Sequence, residues 1–311
     1  MRWVLKTAFR RIAALLVPFV AALAVASAAG HASAAAGGLI TAVGAENEYA
    51  NVISQIGGRY VSVTAVESNP NTDPHSYEAS PSVARVVSDA RVVVQNGVGY
   101  DSYMDNIENA SASSKRKVID MQKLLGLPDS TPNPHLWYEP QAMPALARAL
   151  AGDLSAIEPA HASYFQANAT RFDRSLTPWY DALKAFASRY PKTPVATTEP
   201  VADYMLAAAG AVNLTPFSFQ ADIMNGVDPA PQAVTFEDSL FSAHRVKVLI
   251  YNQQVTDSLT QSFISAAKKS GIPIVGVYET MPTGYSYQSW MLAEVNALQK
   301  AVAQKISTLK L

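Results

Sequence analysis

Residues 246–278 read VKVLIYNQQVTDSLTQSFISAAKKSGIPIVGVY and contain two short runs rich in β-branched residues, Val246–Tyr251 and Ile272–Tyr278. Such runs are typical of buried strands, and the stretch between them has the composition of a helix. A strand, a helix and a second strand in this order form the basic unit of a parallel sheet. The segment therefore predicts an α/β fold.

The same alternation of strand-like and helical segments extends through both halves of the chain. It predicts two (β/α) lobes with parallel sheets rather than an all-α or all-β architecture. The other predicted strands are Leu39–Val43, Tyr60–Val66, Arg91–Gln95 and Lys117–Asp120 in the first half, and Pro194–Thr198 and Val212–Thr215 in the second.

Residues 159–190, between the two halves, have a helical pattern instead. Apolar residues recur there at intervals of three, four or seven positions, which predicts one long amphipathic backbone helix that packs between the lobes. Pro178 lies inside this pattern, so we expect it to kink the helix or divide it in two. The predicted organisation is a signal peptide at 1–34, an N-terminal lobe at 35–158, the linking helix at 159–190 and a C-terminal lobe at 191–311. The apolar positions of the helix are Phe165, Phe172, Leu176, Trp179, Leu183, Phe186 and Tyr190.

The N-terminus has the layout of a cleavable signal peptide. Four basic residues precede the apolar stretch 12–29, and small residues suited to cleavage follow at 32–35. We therefore expect a periplasmic protein, exported by this segment; the alternative is an uncleaved membrane anchor. The basic residues are Arg2, Lys6, Arg10 and Arg11.

The composition excludes several classes of protein. Lysine and arginine total 24 against 25 aspartate and glutamate, so the chain has no basic surplus with which to bind nucleic acid. The 311 residues include no cysteine, which rules out disulfides and thiolate metal sites. For the same reason, we expect that the protein is not a lipoprotein.

Two histidines lie in proline-rich loops of the first half. His75 follows Asp73-Pro74, and His135 follows Asn133-Pro134. Because proline restricts the loop, an imidazole at such a position is presented with little loss of entropy. We interpret these two as candidate metal ligands, and His161 and His244 as solvent-facing.

Two glutamates follow predicted strands of the second half. Glu199 comes directly after Pro194–Thr198, and Glu279 directly after Ile272–Tyr278. Ligands of open α/β sheets bind at the carboxyl ends of strands, so residues from two lobes can meet in the cleft between them. Each glutamate on its own can equally be a helix N-terminal residue or an exposed charge. Together with the two histidines, they would form a four-residue site for a divalent metal.

Five motifs in order along the chain resemble those of the zinc/manganese (cluster A-I) family of ABC-transporter periplasmic solute-binding proteins. The similarity extends over essentially the whole chain after the signal peptide. The motifs are DPHSYE at 73–78, VQNGVGYD at 94–101, NPHLW at 133–137, TEPVADY at 198–204 and YETMP at 278–282.

The resemblance implies two lobes joined by one rigid helix, with a single metal ion held in the cleft by His75, His135, Glu199 and Glu279. In zinc-specific members the third of these positions is often histidine, and the fourth is commonly aspartate in the family. The stretch from Glu78 to Pro134 also contains none of the histidines that zinc-specific members often carry after the first motif. These departures weaken an assignment to zinc alone.

The predicted function is a periplasmic receptor that captures one divalent transition metal ion, Mn²⁺ or Zn²⁺ and as a third option Fe²⁺, as its transported ligand. It would deliver the ion to a membrane permease powered by a cytoplasmic ATPase, without enzymatic activity of its own and as a monomer. Two alternatives stay open: a receptor of the same fold for a metal chelate such as a siderophore or corrinoid, and a metallohydrolase. A hydrolase would need an open metal position for water and a nearby acid or base.

Overall fold

The computed structural model describes residues 38–311, which form two parallel sheets with helices packed on them. The predicted signal peptide at 1–34 lies outside these residues. Among the described helices, none combines the length and the hydrophobicity needed to span a bilayer.

The N-terminal sheet has the strand order β2-β1-β3-β4, and the C-terminal sheet has the order β6-β5-β7-β8. All neighbouring strands pair in parallel. The strands are β1 (Ile40–Glu46), β2 (Val61–Glu67), β3 (Val92–Gln95), β4 (Lys117–Asp120), β5 (Pro194–Thr197), β6 (Val212–Asn213), β7 (Val248–Asn252) and β8 (Ile274–Val277).

The predicted α/β fold with two parallel sheets is therefore confirmed, and each predicted strand overlaps an observed one. Strands β3, β7 and β8 are buried along their whole length, as expected for sheets covered by helices on both faces. In the N-terminal sheet, β2 lies on one side of β1, and β3 and β4 lie on the other. In the C-terminal sheet, β6 lies on one side of β5, and β7 and β8 lie on the other. The strand order therefore switches between β1 and β3 and between β5 and β7. Crevices at such switch points are where α/β sheets bind ligands.

Helices connect the strands and link the two lobes. They are α1 (Asn47–Gly57), α2 (Pro81–Asp89), α3 (Ser102–Ala110), α4 (Met121–Leu124), α5 (Ala142–Ile157), α6 (Ala162–Ser175), α7 (Thr177–Arg189), α8 (Asp203–Ala208), α9 (Phe217–Met224), α10 (Pro231–Ser242), α11 (Ser258–Lys269) and α12 (Tyr287–Gln304). Short 3₁₀ turns cover Gly58–Tyr60, Pro74–Ser76, Leu136–Tyr138 and Pro159–His161.

The linking segment is divided in two, as Pro178 led us to expect. Helix α6 ends at Ser175 and α7 begins at Thr177, so Pro178 lies in the first turn of α7. A missing N–H is tolerated there, because the first turn of a helix leaves its N–H groups without helical partners. The apolar stripe from Phe165 to Phe186 is buried and packs into the core shared by the two lobes.

Trp179 is a central residue of this linking segment. It is 1% exposed, and its ring packs edge-on against Tyr287 of α12. We predict that Trp179→Ala lowers the free energy of unfolding by about 3–5 kcal/mol, because it leaves a large cavity in the core. Equilibrium unfolding in urea measures this. Lys184→Ala, at an exposed position of the same helix, is the control and should have little effect. Equal effects of the two substitutions would contradict the packing role.

Candidate metal centre

His75 lies in the 3₁₀ turn that follows β2. The Asp73 side chain accepts a hydrogen bond from the His75 backbone N–H at 2.9 Å, which caps the turn and sets its direction. About a quarter of the His75 side chain is exposed (24%), and its Nε2 is 3.1 Å from Glu279 Oε2. The turn therefore presents one imidazole to the opposite lobe.

His135 is fully buried, in the loop before the 3₁₀ turn Leu136–Tyr138. Asn133 Oδ1 lies 2.7 Å from its Nδ1 and also accepts from its backbone N–H at 3.0 Å. The Asn133 amide nitrogen donates to the Pro200 carbonyl at 2.8 Å, so the oxygen is the atom that faces the ring. An amide oxygen can only accept, which places a proton on Nδ1 and leaves Nε2 for the site.

Glu279 follows β8 and is the point at which the two lobes meet. Its Oε2 is 3.1 Å from Nε2 of His135 as well as from Nε2 of His75, and it accepts a hydrogen bond from the Tyr100 hydroxyl at 3.0 Å. The Gln254 side-chain oxygen accepts the backbone N–H groups of Glu279 and Thr280 at 2.7 and 2.8 Å. These bonds fix the loop that carries the carboxylate.

One ligand atom from each of His75, His135 and Glu279 lies within 4.8 Å of the others, so the structure brings three of the four predicted residues together. Glu199, 3% exposed, is not part of this group. Its Oε2 accepts a hydrogen bond from Asn252 at 3.1 Å, and the same Asn252 nitrogen donates to Glu279 Oε1 at 2.6 Å. Within residues 38–311, its Oε1 is buried and has no hydrogen-bond partner.

Burial and the central carboxylate determine the charges of these groups. Burial lowers the pKa of His135. It would also lower that of His75, but the hydrogen bond and charge of Glu279 outweigh it, and the pKa of His75 is raised. Burial would raise the pKa of Glu279, but its close contacts with the imidazoles of His135 and His75 hold it well below its usual range. Burial and the nearby charge of Glu279 raise the pKa of Glu199 well above its usual value. The pKa values of the two imidazoles shift in opposite directions because only His75 keeps contact with water.

The orphaned oxygen of Glu199 and the convergence on Glu279 Oε2 both fit a divalent cation. Imidazole nitrogens and carboxylate oxygens are ligands of borderline first-row metals, and a buried charged group requires a partner. A metal ion would bind between Glu279 Oε2 and the two imidazole nitrogens, and would give Glu199 Oε1 the partner that it lacks.

The other two described histidines lie elsewhere. His244 is exposed, as predicted. His161 is half-buried, and its ring stacks on Tyr60 with the centroids 3.8 Å apart, so the expectation that it faces solvent is only partly right. Neither belongs to the group around Glu279.

Sequence reasoning missed four residues that support the site: Tyr100, Asn133, Asn252 and Gln254. Tyr100 and Asn133 lie inside motifs that were recognised, but only the histidines and glutamates were chosen as candidates. Asn252 is the last residue of β7, so the rule that ligands collect at the carboxyl ends of strands also applies to it.

Comparison with known proteins identifies the family of the chain. The profile of the family described as "Zinc-uptake complex component A periplasmic" matches residues 43–301. The chain belongs to this family. Its membership confirms the resemblance to metal-binding components of ABC transporters that the five motifs predict.

Two relatives and one solved structure extend the comparison. The manganese-binding lipoprotein MntA of Bacillus subtilis is 26% identical over 136 residues, which cover 42% of this chain and 44% of the relative. The metal ABC transporter substrate-binding lipoprotein SloC of Streptococcus mutans is 22% identical over 285 residues, covering 85% and 90%. The binding protein FpvC of Pseudomonas aeruginosa, solved in complex with Mn²⁺, is 20% identical with a TM-score of 0.69, covering 86% and 100%. At this identity, the structural match supports the fold alone.

The expectation that the protein is not a lipoprotein is wrong on this comparison. It depended on the lack of cysteine in the chain, but MntA and SloC are both named lipoproteins. The extracytoplasmic location agrees with the periplasmic description of the family.

The role of Asn133 in orienting His135 can be tested by Asn133→Ala. We predict a loss of metal affinity of about 10- to 100-fold, because the His135 ring loses the acceptor that fixes its Nδ1 proton. Competition titration against a chromophoric chelator measures the affinity. Asn106→Ala, at an exposed position of α3, is the control and should leave the affinity unchanged. An unchanged affinity in Asn133→Ala would contradict the assigned orientation.

Proposed function

We propose that the protein captures one divalent transition metal ion in the cleft between its lobes and delivers it to the permease of an ABC transporter. The observation that carries this proposal is the convergence of two imidazole nitrogens from one lobe on one carboxylate oxygen from the other. Membership of the zinc-uptake family confirms the class of protein that the motifs predict. The metal ion is cargo in this function.

We propose that His75 Nε2, His135 Nε2 and Glu279 Oε2 bind the ion, with Glu199 Oε1 as the fourth donor. The first three atoms all lie within 4.8 Å of one another, which supports their role as ligands. The role of Glu199 is supported by its Oε1, which is buried and has no hydrogen-bond partner within the described residues. Ligands from both lobes would hold the lobes together in the loaded state. We propose that the permease recognises this loaded state.

The donor set of two imidazoles and two carboxylates suits Zn²⁺, Mn²⁺ or Fe²⁺. The family is described by zinc uptake, MntA is named a manganese-binding protein, and FpvC was solved with Mn²⁺. We therefore propose Mn²⁺ or Zn²⁺ as the transported ion.

The protein works with a membrane permease and its cytoplasmic ATPase, as transporter binding components of its family do. We propose further that it is monomeric, does not bind nucleic acid and has no enzymatic activity. Its donor atoms already contact one another across the cleft, which favours a closed ion site over the open position that a hydrolytic metal needs. The same closure argues against an organic chelate, since a chelate would have to separate these atoms.

For the domain organisation, we propose an exported chain whose signal peptide at 1–34 precedes the N-terminal lobe at 35–158. The linking helical segment at 159–190 and the C-terminal lobe at 191–311 complete it. The even division of the eight described strands between two sheets supports this arrangement.

Metal content tests the function directly. Protein purified from its own periplasm without chelator or affinity tag should contain about one equivalent of manganese, zinc or iron by elemental analysis. We predict that His75→Ala and His135→Ala each abolish tight binding, because each removes a nitrogen donor from the site. His161→Ala and His244→Ala are the matched controls and should retain the metal. Protein that stays metal-free even when the ion is offered in excess would refute the proposal.

Acidification should weaken metal binding, because protons compete with the ion for the imidazoles. The pKa of His75 is raised, so its proton begins to compete above the ordinary histidine value of about 6.5. The pKa of His135 is lowered, so its proton competes only at lower pH. We predict that affinity falls about tenfold per pH unit once His75 is protonated, and more steeply when His135 follows. Titrations at a series of pH values measure this. An affinity that is flat from about pH 8 to about pH 5 would rule out a two-histidine site.

A further inference from the structure

Asn252 is the last residue of β7, next to β5 at the switch point of the C-terminal sheet. It is 1% exposed, and its backbone N–H donates to Thr198 Oγ1 at 3.1 Å. Its side-chain oxygen accepts the Gln254 backbone N–H at 3.0 Å. Because the oxygen is engaged in this way, the NH₂ group is the end of the amide that faces the carboxylates.

The two hydrogens of this NH₂ group are both used, one on each carboxylate. Nδ2 donates to Glu279 Oε1 at 2.6 Å and to Glu199 Oε2 at 3.1 Å. The two remaining oxygens are those suited to a metal. Glu279 Oε2 faces the two imidazoles, and Glu199 Oε1 is buried without a partner within the described residues.

We infer that Asn252 determines metal specificity by restricting each carboxylate to one coordinating oxygen. This inference rests on the proposed function. With Asn252 on one oxygen of each glutamate, the site offers two nitrogens and two oxygens, and therefore four donors. If both glutamates could use both oxygens, the same residues would offer six.

Zn²⁺ and Mn²⁺ prefer different numbers of donor atoms. Zinc is bound in four-coordinate tetrahedral sites with nitrogen and oxygen donors, whereas manganese prefers six ligands in octahedral geometry. An N–H of Asn252 already takes one lone pair of Glu279 Oε1 and one of Glu199 Oε2, so a second metal bond at either oxygen would compete with a charge-assisted hydrogen bond in a buried site, which is unfavourable. Asn252 therefore biases the site towards zinc, even though its two carboxylates suit harder ions.

X-ray absorption on the zinc-loaded wild-type protein counts the atoms bound to the ion, and so tests how many oxygens each glutamate contributes without any substitution. We expect four nitrogen or oxygen neighbours at about 2.0–2.2 Å. Five or six neighbours would overturn the inference while leaving metal capture intact. Protein that takes up no zinc at all would overturn both the inference and the proposed function.

Asn252→Leu tests the cause, because leucine has the same branched arrangement of side-chain heavy atoms as asparagine but no N–H group. We expect more than four neighbours around zinc in this variant, and a ratio of manganese to zinc dissociation constants about 10-fold lower than in the wild type. Asn168→Leu is the matched control, since Asn168 of α6 is also buried, at 3% exposed, and donates from its amide nitrogen to the Ile56 carbonyl of α1 at 2.8 Å, with no proposed ligand among its partners. It should change neither quantity.

A purely structural role for Asn252 predicts a different result. Both dissociation constants would then rise together, with the ratio and the number of neighbours unchanged, and this outcome would overturn the inference. Asn252→Ser, which is smaller and too short to reach both glutamates, repeats the test if the leucine variant does not fold.

Discussion

The site depends on one buried carboxylate that is shared between the lobes. Glu279 is fully buried, and its Oε2 contacts two imidazoles and a tyrosine hydroxyl contributed by the N-terminal lobe. A buried charge without partners costs several kcal/mol, so the position of Glu279 is stable only when the opposite lobe supplies them. Closure of the cleft and neutralisation of this carboxylate are therefore one event. A divalent ion can perform the same neutralisation with its own charge.

Side-chain hydrogen bonds to backbone groups of the opposite lobe hold the two lobes in register around this carboxylate. Asn47, at the start of α1, exchanges two hydrogen bonds of 2.9 Å with the backbone of Met281. Gln254 of the C-terminal lobe donates to the Thr72 carbonyl in the turn before His75, at 2.6 Å. Tyr138, in the turn after His135, donates to the Tyr278 carbonyl at 2.9 Å. Each contact ends one to three residues from a proposed ligand, so movement of the lobes and geometry of the site are coupled.

The fold could be predicted from the sequence because the patterns that indicate strands and helices are local in the chain. β-Branched runs such as Val246–Tyr251 mark buried strands, and the position of Pro178 indicated where the linking helix divides. The meeting of His75, His135 and Glu279 was also predictable, since all three follow strands or sit in restricted loops within recognised motifs. Their role as ligands stays a prediction that the metal measurements decide.

Other features were not predictable, because they depend on how the lobes face one another. Glu199 lies outside the group around Glu279, and the amide of Asn252 bridges the two carboxylates. No sequence pattern reveals that an asparagine at a strand end will use both hydrogens in this way. The stacking of His161 on Tyr60 likewise joins residues far apart in the chain.

The most direct test is a crystal structure of the metal-loaded protein, with anomalous scattering recorded at the absorption edge of the ion. We predict one anomalous peak in the cleft, bonded to His75 Nε2, His135 Nε2, Glu279 Oε2 and Glu199 Oε1. A peak away from these atoms, or a loaded site that lacks either imidazole, would contradict it.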